Sequence, residues 1–277
     1  MADALIQTTY YTDPVCSACW AIEPQLLRLR EEYQDQIQIT IKMAGLMRSW
    51  KDFEGDLKPY GGPEQVAAFW DQMARTIEMP MEGAVWREDP PRSTWPSNMA
   101  YRAAVLQGEA RACRYLRRMR EAVLTERKNL ARPEILKALA EEVGLDADRL
   151  WKEMKSEPVA RVFYDDMVEA RTFGKAIPIL VFKNAAGESK IFVGFDEFIS
   201  WAEAIDALSK GTARRREPRP MVSLIRDVGR VTPREIGEVY GWVREEAEAV
   251  LSDRVALGQL RRESAPNGFF YSLNISE

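Results

Sequence analysis

Two cysteines spaced C-x-x-C, Cys16 and Cys19, stand where a strand-like segment gives way to a helix, and this junction constrains the chain more than any other feature. Residues 5–11 (L-I-Q-T-T-Y-Y) are rich in β-formers and end at Thr12-Asp13-Pro14, which reads as a turn. From Cys16 to about residue 33, Leu26, Leu27 and Leu29 sit among Arg28, Arg30, Glu31 and Glu32, a helical pattern. Pro24 inside that helix would cost about 3 kcal/mol if the helix ran straight, so the reading includes a kink. Residues 37–43 then alternate as I-Q-I-T-I-K-M, placing Ile37, Ile39, Ile41 and Met43 on one face of a strand. Strand, helix and strand in this order read as a right-handed β-α-β unit.

From residue 63 to 171 the apolar spacing stays helical, with Arg132-Pro133-Glu134 opening one helix, Gly144 closing it, Asp146 capping the next and Pro158 starting the last. Strand character returns at residues 179–182, breaks at Asn184-Ala185-Ala186-Gly187 and resumes at 190–193 as a hairpin, and residues 196–208 close the unit as an amphipathic helix. Two strands and a helix, a helical insert, then two strands and a helix describe an α/β chain: a thioredoxin-like fold, residues 1–62 and 172–209, with an inserted helical domain at 63–171. Residues 210–220 (K-G-T-A-R-R-R-E-P-R-P) have no large apolar residue and read as a linker, with Arg214-Arg215-Arg216 as a solvated run. Residues 221–277 read as a small winged-helix-like α+β module: Thr232-Pro233-Arg234-Glu235 has capping-box form, Gly241 ends that helix, residues 243–257 form a second, and Pro266-Asn267-Gly268 turns a hairpin.

At a helix N-terminus the free backbone N–H groups and the dipole stabilise a thiolate, and only the first sulfur is exposed there. Cys16 is thus the expected attacking thiol and Cys19 the resolving one. Ser17-Ala18 adds no positive charge between them and Asp13 is anionic, so oxidant strength should be modest. Pro178 opens the strand after the insert; in a thioredoxin fold the bond before this proline is cis and faces the cysteines, leaving backbone free for an extended substrate. The expected site is Cys16, Cys19 and Pro178 for catalysis, if the pair is redox-active, with Trp20, Ile177 and Pro178 touching substrate. A bare C-x-x-C also fits half a zinc site, or inert thiols on a fold used for binding.

The sequence has no histidine, which removes Ser-His-Asp and Cys-His catalysis and His-bearing zinc sites. Three cysteines exclude a tetrathiolate site, and Cys113 reads as a half-buried small hydrophobe. No Gly-rich phosphate loop is present, so neither a metal nor a cofactor is expected. The tryptophans Trp70, Trp86, Trp95, Trp151 and Trp201 read as core or groove anchors. A formal net charge of −4 disfavours a nucleic-acid or anionic-membrane binder, and the helix that would enter a DNA groove carries Glu245, Glu246, Glu248 and Asp253. No secretory signal is legible from Met1-Ala2-Asp3-Ala4 onward and no apolar run is long enough to span a membrane, so a cytoplasmic setting is expected.

The motif D-P-x-C-x-x-C-W-x-x-E-P, filled by Asp13, Pro14, Cys16, Cys19, Trp20, Glu23 and Pro24, resembles the DsbA-like branch of the thioredoxin superfamily. Val85-Trp86, the stretch Ala103 to Gly108, Lys128-Asn129, and in the tail Glu235-Ile236, Val239-Tyr240, Gly268-Phe269-Phe270 and Ser272-Leu273 are similar to the SpxH (YjbH) adaptor family of Gram-positive bacteria. That resemblance implies a cytosolic adaptor that binds the transcription regulator Spx and presents it to the ClpXP protease. The chain departs from it in two places: residues 1–12 lack the His and Cys of the family's metal-associated extension, and the Pro-His dipeptide of DsbA is absent between the cysteines. The alternative of a different class is a cytosolic thiol-disulfide oxidoreductase, FrnE- or DsbA-like, working through Cys16 and Cys19.

Overall fold

The computed structural model describes residues 4–55 and 57–274; the N-terminal readings on Met1, Ala2 and Asp3 and the last three residues of the tail lie outside them. β1 (Ile6–Thr12) and β2 (Ile37–Met43) pair in parallel, Ile6 opposite Ile37. Between them the expected single helix is two, α1 (Ser17–Ala21) and α2 (Glu23–Tyr33). The break falls at Ile22 because Pro24 occupies the first turn of α2, the one place in a helix where its missing N–H costs nothing.

Seven α-helices of the described residues follow before the next strand: α3 (Pro63–Ala74), α4 (Ala84–Glu88), α5 (Trp95–Val105), α6 (Glu109–Thr125), α7 (Pro133–Glu142), α8 (Ala147–Glu153) and α9 (Glu157–Thr172). The Asp146 side chain caps α8. β3 (Ile179–Asn184) then runs antiparallel to β1, and β4 (Ser189–Val193) closes the sheet in the order β2-β1-β3-β4. α10 (Phe198–Ser209) lies against it, with Trp201 fully buried on Phe182. One apolar core runs from Tyr10, Leu26 and Ile41 through Tyr115 and Met119 of α6 to Leu180 and Trp201, so the helices between β2 and β3 share the core of the sheet.

Residues 212–220 have no regular structure and are mostly exposed, and their arginines also reach back to α2. Arg215 donates to Glu32 at 2.9 Å, the Arg216 N–H donates to the Glu32 carbonyl at 2.7 Å, and Arg219 donates to Glu31 at 2.7 Å. The outward carboxylates of α2 supply the partners, a match between distant segments that local composition does not reveal. Residues 221–228, in which no element was expected, form α11 (Met221–Val228). β5 (Arg230–Val231), α12 (Pro233–Tyr240), α13 (Arg244–Ala256), β6 (Leu260–Ala265) and β7 (Gly268–Leu273) follow, with sheet order β5-β7-β6. α12 starts at the capping box read from the sequence: Thr232 Oγ1 accepts the Glu235 N–H at 3.2 Å, and Glu235 accepts the Thr232 N–H at 2.8 Å. It ends where Gly241 takes a left-handed φ of 71°. The apolar core of this last unit, Leu224, Ile225, Ile236, Leu251 and Tyr271, includes Leu27 from α2, so the unit is packed onto the body as well as tethered to it.

Candidate functional site

Cys16 is the N-cap of α1: its extended backbone (φ −82°, ψ 113°) turns the side chain back over the helix end, and Sγ accepts the Cys19 N–H at 3.1 Å. Its thiol faces the Ile177 carbonyl, 3.9 Å away, on the chain entering β3, where the Ile177–Pro178 peptide bond is cis. The fold therefore brings Cys16, Cys19, Ile177 and Pro178 together. Both cysteines are free thiols, Cys16 5% exposed and Cys19 fully buried.

Trp20, expected to touch substrate, points away from this opening. It is fully buried, its indole N–H donates to the Pro80 carbonyl at 3.0 Å, and the Arg117 guanidinium lies 4.6 Å from its ring centre. Its neighbour Cys19 is the inward side of a short helix, and position 20 continues that side. Asp13 is likewise buried, where it accepts from the Val15 and Leu46 N–H groups, each at 2.8 Å, from Thr94 Oγ1 at 2.6 Å and from Asn98 at 2.8 Å. It pins the end of β1 to the loop after β2 and to α5. Burial pushes its carboxyl up, against the pull of those four donors.

The surface over Cys16 is an apolar groove, a cavity of about 280 Å³ lined by Val15, Leu46, Met47, Phe69, Trp70, Trp86 and Ile177. Trp70 and Trp86 meet edge to face, 5.7 Å apart, and are the groove anchors expected from the sequence; Phe69 and Tyr60 form the half-exposed rim. This lining suits an apolar or extended peptide partner and supplies few polar contacts of its own.

The surroundings of Cys19 are of the opposite kind. Arg120 of α6, 1% exposed, forms an ion pair with Glu23, donates to Thr12 Oγ1, and donates to the Tyr10 hydroxyl at 3.2 Å. Burial pushes the Cys19 thiol up, but the hydrogen bond from Cys16, the Arg120 charge and the Thr12 hydroxyl outweigh it and hold the thiol below its ordinary value. Burial and the shared proton with Cys19 push Cys16 well up. The two thiols are thus shifted in opposite directions, Cys19 downward beside Arg120 and Cys16 upward. Sequence reasoning missed Arg120 and its neighbour Arg117. The available signal was two arginines, Arg117 and Arg120, inside the apolar stripe Leu116, Met119 and Val123 of α6. Among the described residues no group of three or more His, Cys, Asp or Glu side chains is arranged to hold a metal ion.

A family model described as thioredoxin matches residues 10–197. Over 264 residues the chain is 27% identical to the ClpXP adapter protein SpxH of Halalkalibacterium halodurans, covering 94% of this chain and 86% of that protein. With the ClpXP adapter protein SpxH of Bacillus subtilis the identity is 24% over 266 residues, 94% of this chain and 87% of the other. Among solved structures, the cytosolic disulfide reductase DsbM from Pseudomonas aeruginosa superposes with a TM-score of 0.54 at 19% identity, covering 74% of this chain and 95% of that one. That likeness concerns the fold alone. The SpxH alignments are long enough to continue past residue 197 into the last unit of the chain.

Proposed function

We propose, from the premise that this chain belongs to the thioredoxin family, that it is an adaptor which binds an Spx-like transcription regulator in the cytoplasm and promotes its degradation by the ClpXP protease. The observation that carries this reading is the extent of the likeness to the SpxH proteins, which runs through the C-terminal unit as well as the thioredoxin-like body. In this account the apolar groove over Cys16 and the body hold the client, while the C-terminal unit, a winged-helix-like module, supports docking. α13 carries Glu245, Glu246, Glu248 and Asp253, and such a face repels phosphate, so the module meets protein and not DNA.

The test is reconstituted degradation of Spx by ClpXP without adaptor, with this protein, and with its Cys16→Ser, Cys19→Ser variant. Acceleration by both proteins supports an adaptor whose sulfurs are dispensable. Failure of both overturns the reading.

The free C-x-x-C beside a cis-proline favours one second reading, a thiol-disulfide oxidoreductase. The Cys16 thiolate would attack one sulfur of a substrate disulfide and expel the other as a thiolate. Cys19 would then displace the bound substrate sulfur, leaving substrate as a dithiol and the Cys16–Cys19 pair oxidised. A Cys19→Ser variant that traps no mixed disulfide in cells removes this reading.

A further inference from the structure

A second hollow, about 580 Å³, opens where α2, α6 and α11 meet and reaches Tyr10, Glu23 and Arg120. Its lining holds six arginines against four carboxylates, a cationic surplus in a chain whose net charge is −4. All four carboxylates are engaged: Glu23 with Arg120, Glu31 and Asp227 with Arg219, and Glu235 with Arg117. That leaves Arg30 from α2, Arg114 from α6 and Arg226 from α11. All three are exposed at the opening, and none makes an ion pair or hydrogen bond with the described residues. An independent observation lies deeper. Arg120 is 1% exposed, lines the same hollow, and its Nε has no hydrogen-bond partner among the described residues. A buried guanidinium N–H without an acceptor is costly, and a carboxylate is its strongest complement.

We propose that this hollow is a docking site for an acidic peptide segment, one whose carboxylates meet Arg30, Arg114 and Arg226 at the opening. The volume falls in the range that holds a short peptide stretch or a drug-sized ligand, and three separate arginines around one opening fit a chain that carries several carboxylates better than a compact inorganic ion. The three elements that contribute the free arginines come from three parts of the chain, so the site exists only when the C-terminal unit is seated on the body. The proposal rests on the adaptor reading only in taking the peptide to belong to a client.

The experiment is fluorescence anisotropy of the full chain with a carboxyfluorescein-labelled hexapeptide, Glu-Leu-Asp-Leu-Glu-Leu, and its counterpart in which Gln and Asn replace Glu and Asp. The acidic peptide should bind at least about tenfold more tightly than the amide form, and its affinity should fall with added salt. Arg30→Glu, Arg114→Glu, Arg226→Glu combined should weaken it by at least about tenfold, since each exposed charge pair contributes a few-fold. None of the three makes an ion pair or hydrogen bond with the described residues, so the variant should remain folded by circular dichroism and thermal unfolding, and Arg254→Glu on α13 serves as the control that leaves binding intact. Equal binding of the two peptides, or undiminished binding to the triple variant, overturns the proposal. So does binding of citrate or inorganic phosphate at this site with no peptide binding. Failure of the adaptor reading is distinguishable: the wild-type chain then binds the acidic peptide but does not accelerate degradation of Spx by ClpXP.

Discussion

Two hollows, one opening on Cys16 and the other reaching Arg120, are built on opposite principles. The groove over Cys16 is walled mainly by Val15, Met47, Trp70, Trp86 and Ile177, so most of its surface offers shape and apolar area. The hollow that reaches Arg120 and Tyr10 beneath Cys19 is walled by arginines and carboxylates that arrive from three parts of the chain. The half-exposed rim of the groove, Phe69 and Tyr60, tolerates truncation, since little burial is lost there. Buried ion pairs do not, because removing one partner strands the charge of the other in a poorly solvated place. The two sides of the helix that carries Cys16 and Cys19 should therefore respond very differently to mutation.

The largest effect is expected at Arg120. Arg120→Met removes the nearer of the two arginine partners of Glu23, leaving Arg117 at 3.8 Å, and removes the donor to Thr12 and Tyr10, so urea unfolding should report a loss of about 3 kcal/mol. A loss below about 1 kcal/mol would erase the contrast. Next is Glu235→Gln, on the boundary between body and C-terminal unit. Glu235 is buried, pairs with Arg117 and accepts from the Thr232 N–H, so the variant should lose about 2–3 kcal/mol and expose residues 212–220 to limited proteolysis before the body unfolds.

A third test uses pH. Burial acts upward on Glu126, but the Arg118, Arg230 and Lys128 side chains hold its carboxyl down at about 2, against an ordinary value near 4.5. A carboxyl lowered in the folded state contributes stability that is present above pH 4.5 and is lost as the pH falls from there toward 2. Glu126→Gln should remove about 1–2 kcal/mol of that acid dependence, the figure being reduced for its partial exposure. An acid limb that keeps its steepness in the variant would assign it to other carboxylates. The smallest effect is expected on the apolar side: Phe69→Ala, half-exposed at the rim, should cost less than about 1 kcal/mol of stability while weakening any partner held in the groove.

How much of this could be read from the sequence differs between the two sides. The cysteine pair, its position at the strand–helix junction, Pro178 and the anchoring role of Trp70 and Trp86 follow from local pattern, because turn residues, period-two strands and a C-x-x-C motif are expressed over a few neighbouring positions. The capping box at Thr232 and Glu235 is local in the same sense, and α12 begins there. The inward side of the site was not legible. Arg120 and Glu23 are 97 positions apart, Arg117 and Glu235 are 118 apart, and nothing around either arginine names its partner. The same holds for residues 210–220, whose composition says linker while their arginines grip Glu31 and Glu32 some 180 positions away. Trp20 was placed at the substrate for its motif position, whereas the side of the helix on which it falls turns it into the core.

By itself, then, the sequence determined the order of strands and helices, the thiol pair at a helix start, and the absence of histidine-based chemistry, all properties of residue type and short-range spacing. Only the tertiary structure decided that Cys19 lies beside Arg120, which arginines are spent on internal carboxylates and which are left facing an opening. Those outcomes depend on charge over distances of a few ångströms between segments far apart in the chain, and Coulomb interactions and desolvation are set by where the folded backbone places the groups.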